Sequence, residues 1–147
     1  MRIILCRLHP NFHADCIMNT SRWILAPGAL LSALAIILAA LASHALPDIM
    51  LDPVRAHRFS TALQMHQFNA PGLLLIGIAL LFRPDNRWWR SAAVLLLTGT
   101  LLFCGNLYLL AFMQTSPAPW LTPLGGLCMI GAWLLFAFGA VTERTSG

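Results

Sequence analysis

Lysine is absent from this 147-residue chain, and only five residues are acidic. Charged side chains make up 10% of it, where a water-soluble domain carries about 25%. A soluble fold needs charge to cover its outside, so this scarcity excludes water as the solvent of most of the surface. The nine basic residues are all arginines and lie scattered along the chain. No basic stripe with interleaved aromatics appears, which excludes nucleic acid as a partner despite a net charge of +4. The chain also lacks a phosphate-binding glycine loop, an H-E-x-x-H helix and a G-x-S-x-G turn. No nucleophile–base pair or metal triad can be assembled from what remains. The expectation is a non-enzymatic protein with no cofactor and no bound metal.

What the chain does have is apolar length. Hydrophobic residues make up 59% of it, against about 45–50% in soluble domains. Between Arg22 and Asp48 lie 25 uncharged residues, between Arg58 and Arg83 lie 24, and between Arg90 and Glu143 lie 52. A helix rises about 1.5 Å per residue and a bilayer core is about 30 Å thick. The first two gaps each fit one crossing, and the third fits two. Ser116-Pro117-Ala118-Pro119 and Pro123 divide the third gap, because proline removes a helical donor and clashes with the preceding turn. The pattern predicts an all-α membrane protein, a four-transmembrane-helix bundle with spans near 22–45, 53–82, 91–114 and 120–142. Asp52-Pro53 reads as an N-cap followed by proline at the first helical position. Ser43-His44-Ala45 has the spacing of a signal-peptidase site, but the apolar stretch before it exceeds a signal core of about 7–15 residues. The first span therefore reads as retained.

Arginine placement predicts orientation. Arg2, Arg7, Arg22, Arg83, Arg87, Arg90 and Arg144 fall on one side of such a bundle, and Arg55 and Arg58 on the other. The positive-inside rule then puts both termini in the cytoplasm. Reporter fusions after Gly147 and within residues 47–52 should report cytoplasmic and periplasmic locations respectively. A periplasmic C-terminus would overturn this topology.

No acidic residue lies inside a predicted span, which argues against carboxylate-driven proton pumping. The spans carry neutral polarity instead. Gln64, His66, Gln67 and Asn69 fall in the second, Asn106 and Tyr108 in the third, and His44 ends the first. At 100° per residue, Gln64 and Gln67 share one face of the second span, while His66 and Asn69 share the opposite face. The second span should therefore be surrounded by partners, with its amides bonding to the first and third spans in the outer half of the bilayer. Such groups commonly join membrane helices by hydrogen bonds. The competing reading is a ligand, ion or proton site.

Small residues recur at helical spacing, among them Gly28, Ser32 and Ala35 in the first span and Gly125, Gly126, Gly131 and Gly139 in the fourth. They predict close helix packing. Trp133, in the middle of the fourth span, is a large packing group whose indole N–H needs a partner. Cys6, His9, His13 and Cys16 superficially resemble a zinc site, but their spacing matches no common zinc pattern.

Taken in order, several of these stretches resemble one known family. Ala42-Ser43-His44-Ala45-Leu46, Leu102-Phe103-Cys104-Gly105-Asn106-Leu107-Tyr108 and Thr122-Pro123-Leu124-Gly125-Gly126 followed by Gly131-Ala132-Trp133 are similar to signatures of the YgdD-like proteins. These are small bacterial inner-membrane proteins, a domain-of-unknown-function family with an animal transmembrane relative. The resemblance implies four helices, a location in the bacterial inner membrane and no assigned activity. Gly105, Gly125, Gly126, Gly131 and Trp133 are read as helix-packing positions. The second span departs from the family pattern, with His66 where the family has glutamine and Asn69 where it has histidine. A hydrogen-bonding role survives that exchange, because both sets donate and accept. The family's start matches Met18-Asn19-Thr20-Ser21, so residues 1–17 read as an N-terminal extension and 18–147 as the membrane domain. Expected partners are the lipid bilayer and a membrane protein, either another chain or a second copy.

Overall fold

The computed structural model describes residues 10–115 and 118–142, with side chains described from Ser21 onward. The Cys6–His9–His13–Cys16 cluster lies outside the described side chains. Every regular element among the described residues is a helix: α1 Pro10–His44, α2 Pro47–Met50, α3 Pro53–Phe82, α4 Arg87–Met113 and α5 Leu121–Thr142. Four stretches are long and apolar enough to cross a membrane: Ser21–His44 within α1, and the whole of α3, α4 and α5. The 30 residues of α3 reach about 45 Å, so its ends extend beyond a hydrocarbon core of about 30 Å.

Local chemistry sets the helix ends. The Asp52 side chain accepts from the backbone N–H of Val54 (2.9 Å) and of Arg55 (3.3 Å), and Pro53 starts α3. Asn86 does the same for α4, accepting from Trp88 N–H (3.0 Å) and Trp89 N–H (3.1 Å). This cap starts α4 at Arg87, four residues before the expected Ser91, because Asn86 supplies acceptors that a charge-gap reading does not count. Gln114, in the left-handed conformation with φ 60°, ends α4. The orphan carbonyls there are met from α3: Arg55 Nε donates to Ala111 O (2.7 Å) and Arg58 donates to Leu110 O (3.5 Å). These two arginines therefore tie the start of α3 to the end of α4. The short α2 was not expected. It follows from Pro47 at a helix start, and it buries Ile49 against Phe59 and Ala111.

Packing follows chain order, α1 on α3, α3 on α4, and α4 most extensively on α5. The main core joins Leu73, Ile76 and Leu80 of α3, Ala92, Ala93 and Leu96 of α4, and Met129 and Ala132 of α5. By contrast α1 buries little, and Leu30 and Ile36 lie open to lipid.

Glycine permits the closest approach, between α4 and α5. A Cβ on Gly125 would stand 2.6 Å from the backbone nitrogen of Phe103 and 2.9 Å from the carbonyl of Gly99. Conversely, a Cβ on Gly99 would stand 2.9 Å from the Gly125 carbonyl. Two backbones meet here with no side chain between them. Gly131 meets only Leu95, and Gly126 makes ordinary contact with Phe103. Gly105 corrects the packing expectation: a Cβ there would meet nothing within 4 Å. The stretch around Gly105 faces open space at that position because Gly99, not Gly105, is the α4 glycine that faces α5.

Candidate functional site: a buried polar seam

The polar side chains of the spans separate into an inner set and an outer set. His66, Asn69 and Asn106 are buried, each about 3% exposed. His44, Gln64 and Gln67 are exposed, which corrects the expectation of one cluster. The reason is helical geometry. The face of α3 that carries His66 and Asn69 also carries Ala62, Leu73 and Ile76, which pack inward. Gln64 and Gln67 then necessarily point out.

Asn69 lies at the centre of the inner set. Its Nδ2 donates to Met65 O (2.8 Å) in its own helix and contacts Met129 Sδ of α5 (3.1 Å). Its Oδ1 accepts from Trp133 Nε1, also of α5 (3.1 Å). Trp133 thus finds the indole partner its position called for. The indole can reach Asn69 because Gly72 leaves room: a Cβ on Gly72 would stand 2.6 Å from Trp133 Cζ2. Phe68 packs on the same indole with ring centroids 5.5 Å apart. Outside its own helix, the partners of Asn69 come from the fourth span, not from the first and third.

His66 faces α4. Its Nδ1 lies 3.3 Å from the Tyr108 hydroxyl, and Tyr108 packs edge-on against Phe59 at 5.4 Å. Nε2 of His66 is buried without a hydrogen-bond partner. Asn106 Nδ2 donates to Thr122 Oγ1 at the start of α5 (2.7 Å). A further clasp closes the opposite end of the α4–α5 pair, where Trp89 Nε1 donates to Phe136 O (3.1 Å) and Asn86 Nδ2 to Gly139 O (3.4 Å).

The seam is therefore a ladder of hydrogen bonds from α3 and α4 to α5, flanked by aromatic rings. Three cavities lined by described residues open toward the α3–α4 turn and the first half of α4, and none of the three is lined by His66, Asn69 or Asn106. Among the described residues, no group of three or more His, Cys, Asp or Glu comes together to hold a metal. Sequence reasoning missed Gly72, Gly99, Thr122, Met129 and Asn86. Of these, Thr122 lay in plain view within Thr-Pro-x-Gly-Gly, and Asn86 preceded a helix start at the spacing of a cap.

Comparison with known proteins places this geometry. Residues 38–126 match a family model described as "Protein of unknown function (DUF423)". The chain belongs to this family. The matched span holds His66, Asn69 and Asn106 together with Thr122 and Gly125, and ends before Trp133. A "UPF0382 membrane protein" of Haemophilus influenzae is 32% identical over 108 residues, covering 74% of this chain and 85% of the relative. The "UPF0382 inner membrane protein YgdD" of Escherichia coli K12 is 30% identical over 128 residues, covering 87% and 96%. The "UPF0382 membrane protein YwdK" of Bacillus subtilis is 31% identical over 114 residues, covering 78% and 92%. No solved structure matches the chain. With four membrane-capable helices, this DUF423 protein is a multi-pass protein of the bacterial inner membrane, in a family of unknown function.

Proposed function

We propose that this DUF423 protein is a non-enzymatic accessory module of the membrane, in which interior polarity serves to hold helices together. The observation that carries this reading is Asn69, whose amide is engaged by Met65, Met129 and Trp133: both N–H groups are directed at protein atoms and the carbonyl accepts the indole N–H of α5. Asn106, bonded to Thr122 at the start of α5, supports it as a second polar tie between helices. A small transporter or channel-like protein is the second reading, and one feature favours it: the bare, buried Nε2 of His66. Stability separates the two. If the seam is structural, Asn106→Leu should cost about 0.6–2 kcal/mol, the range for one hydrogen bond between membrane helices, read as a lower melting temperature in detergent. A stabilised variant would move the reading to transport, because polarity kept for function usually costs packing.

The outer amides extend the accessory reading to a partner. His57, Ser60, Gln64, Gln67 and Pro71 are exposed along one face of α3. An amide turned to hydrocarbon without a partner costs several kcal/mol. A second copy of the chain, related by an axis along the membrane normal, brings Gln64 and Gln67 to the same depth on both helices. There each amide can donate to its counterpart and accept from it. Fluorescently labelled chains in vesicles should then show energy transfer that persists on lipid dilution. Gln64→Leu with Gln67→Leu should weaken that transfer. Its absence from the native chain at every dilution would remove the second copy from the proposal.

A further inference from the structure

Two cavities flank the first turns of α4 and share one side chain. The first, of about 300 Å³, lies between α1, α3 and α4, with Trp23, Leu73 and Leu97 among its walls. The second, of about 620 Å³, lies along α4 and α5, with Arg87, Ser91 and Leu135 among its walls. Arg90 and Val94 line both. Being four residues apart, they form a single ridge of α4 between two grooves. Each groove is basic at its rim and apolar on the side toward the membrane centre, and neither is lined by an acidic residue.

The charge at the rim is available. Arg90 is exposed and has no carboxylate partner among the described residues. Arg87 rests over the Trp88 ring, 4.9 Å from its centroid, a contact that leaves the guanidinium N–H groups free for an acceptor. The N–H groups of Trp88 and Trp89 are taken by Asn86, so the helix terminus itself offers little and the arginines carry the site. A guanidinium suits a phosphodiester, because its planar fork matches two phosphate oxygens.

We propose that this end of α4 binds one anionic diacyl phospholipid. Its phosphodiester sits on Arg90, with Arg87 and Ser91 beside it. Its two acyl chains straddle the Val94 ridge, one in each groove. Charge complementarity selects the headgroup, and the paired grooves select a two-chain lipid over a free anion. Basic pockets between membrane helices are a recurring solution for such headgroups.

The test uses the full chain in neutral detergent and native mass spectrometry, with phosphatidylglycerol and phosphatidylcholine of identical chains. One phosphatidylglycerol per chain should be retained in preference to phosphatidylcholine. Arg90→Gln should weaken its retention about fivefold, the effect of one arginine at a membrane surface. Val94→Trp and Thr98→Trp keep Arg90 but fill the grooves, and each should also weaken retention. Arg83→Gln, outside both grooves, should leave it unchanged. The melting temperature of each variant in lipid-free detergent shows that it is folded, and Arg90→Gln, at an exposed position, supplies the decision if a tryptophan variant is not. Equal retention of the two lipids, displacement by inorganic phosphate, or native-like retention by Arg90→Gln would each overturn the proposal.

Discussion

Gly125→Ala is expected to lower the stability of this DUF423 protein by about 3 kcal/mol, the upper end of the usual cost of overpacking. The added Cβ would lie 2.6 Å from a backbone nitrogen and 2.9 Å from a backbone oxygen of α4. Neither atom can rotate away as a side chain would. The α4–α5 pair must separate, and that loosens Asn106–Thr122 and the Trp89 clasp together. Gly105→Ala is the matching control, since its Cβ meets nothing within 4 Å. That substitution should be neutral or stabilising by up to about 1 kcal/mol, the helix-propensity difference between alanine and glycine. Unfolding in mixed detergent micelles measures both. Equal stability of the two variants would mean that α4 and α5 do not meet backbone to backbone at Gly99 and Gly125.

Asn69→Leu is expected to cost about 2 kcal/mol. It removes the acceptor of the Trp133 indole, and a buried donor left without a partner costs about 1–3 kcal/mol. It also removes the contact with Met129. Trp133→Phe deletes the same bond from the other side while keeping an aromatic ring near Gly72. The double variant should therefore be less destabilised than the sum of the two single variants, with a coupling of about 0.5–2 kcal/mol. Asn69→His should be tolerated, because an imidazole nitrogen can accept from the indole. Additive losses would show that the two side chains do not bond. A stabilised Asn69→Leu would point to a polar group kept for a ligand.

Much of the architecture is legible in the chain, for identifiable reasons. Crossings depend on unbroken apolar length, a one-dimensional property, so α3 matches its expected span of 53–82 and α5 begins within one residue of its expected start. Asp52-Pro53 marks a helix start with atoms two and three residues away, so it too is readable. Charge marks the α4 start late, because Arg87 and Arg90 sit inside the first turn that Asn86 caps. The role of Arg55 and Arg58 was not readable, because the carbonyls they satisfy belong to residues more than fifty positions away.

For the polar residues, periodicity divided α3 into a Gln64–Gln67 face and a His66–Asn69 face, and the structure keeps that division. Periodicity has no information about which face turns inward, since both are polar and the sign of the rotation depends on neighbours. Only the tertiary packing decided it, by burying Leu73 and Ile76 against α4 and α5 and carrying His66 and Asn69 in with them. Likewise, the sequence by itself determined that Trp133 needed a partner, because an indole N–H in hydrocarbon cannot go unmatched. That the partner is Asn69 was decided by distance alone: Gly72 lets the indole lie against α3, and the Gly99–Gly125 contact holds α5 close enough for the bond to form.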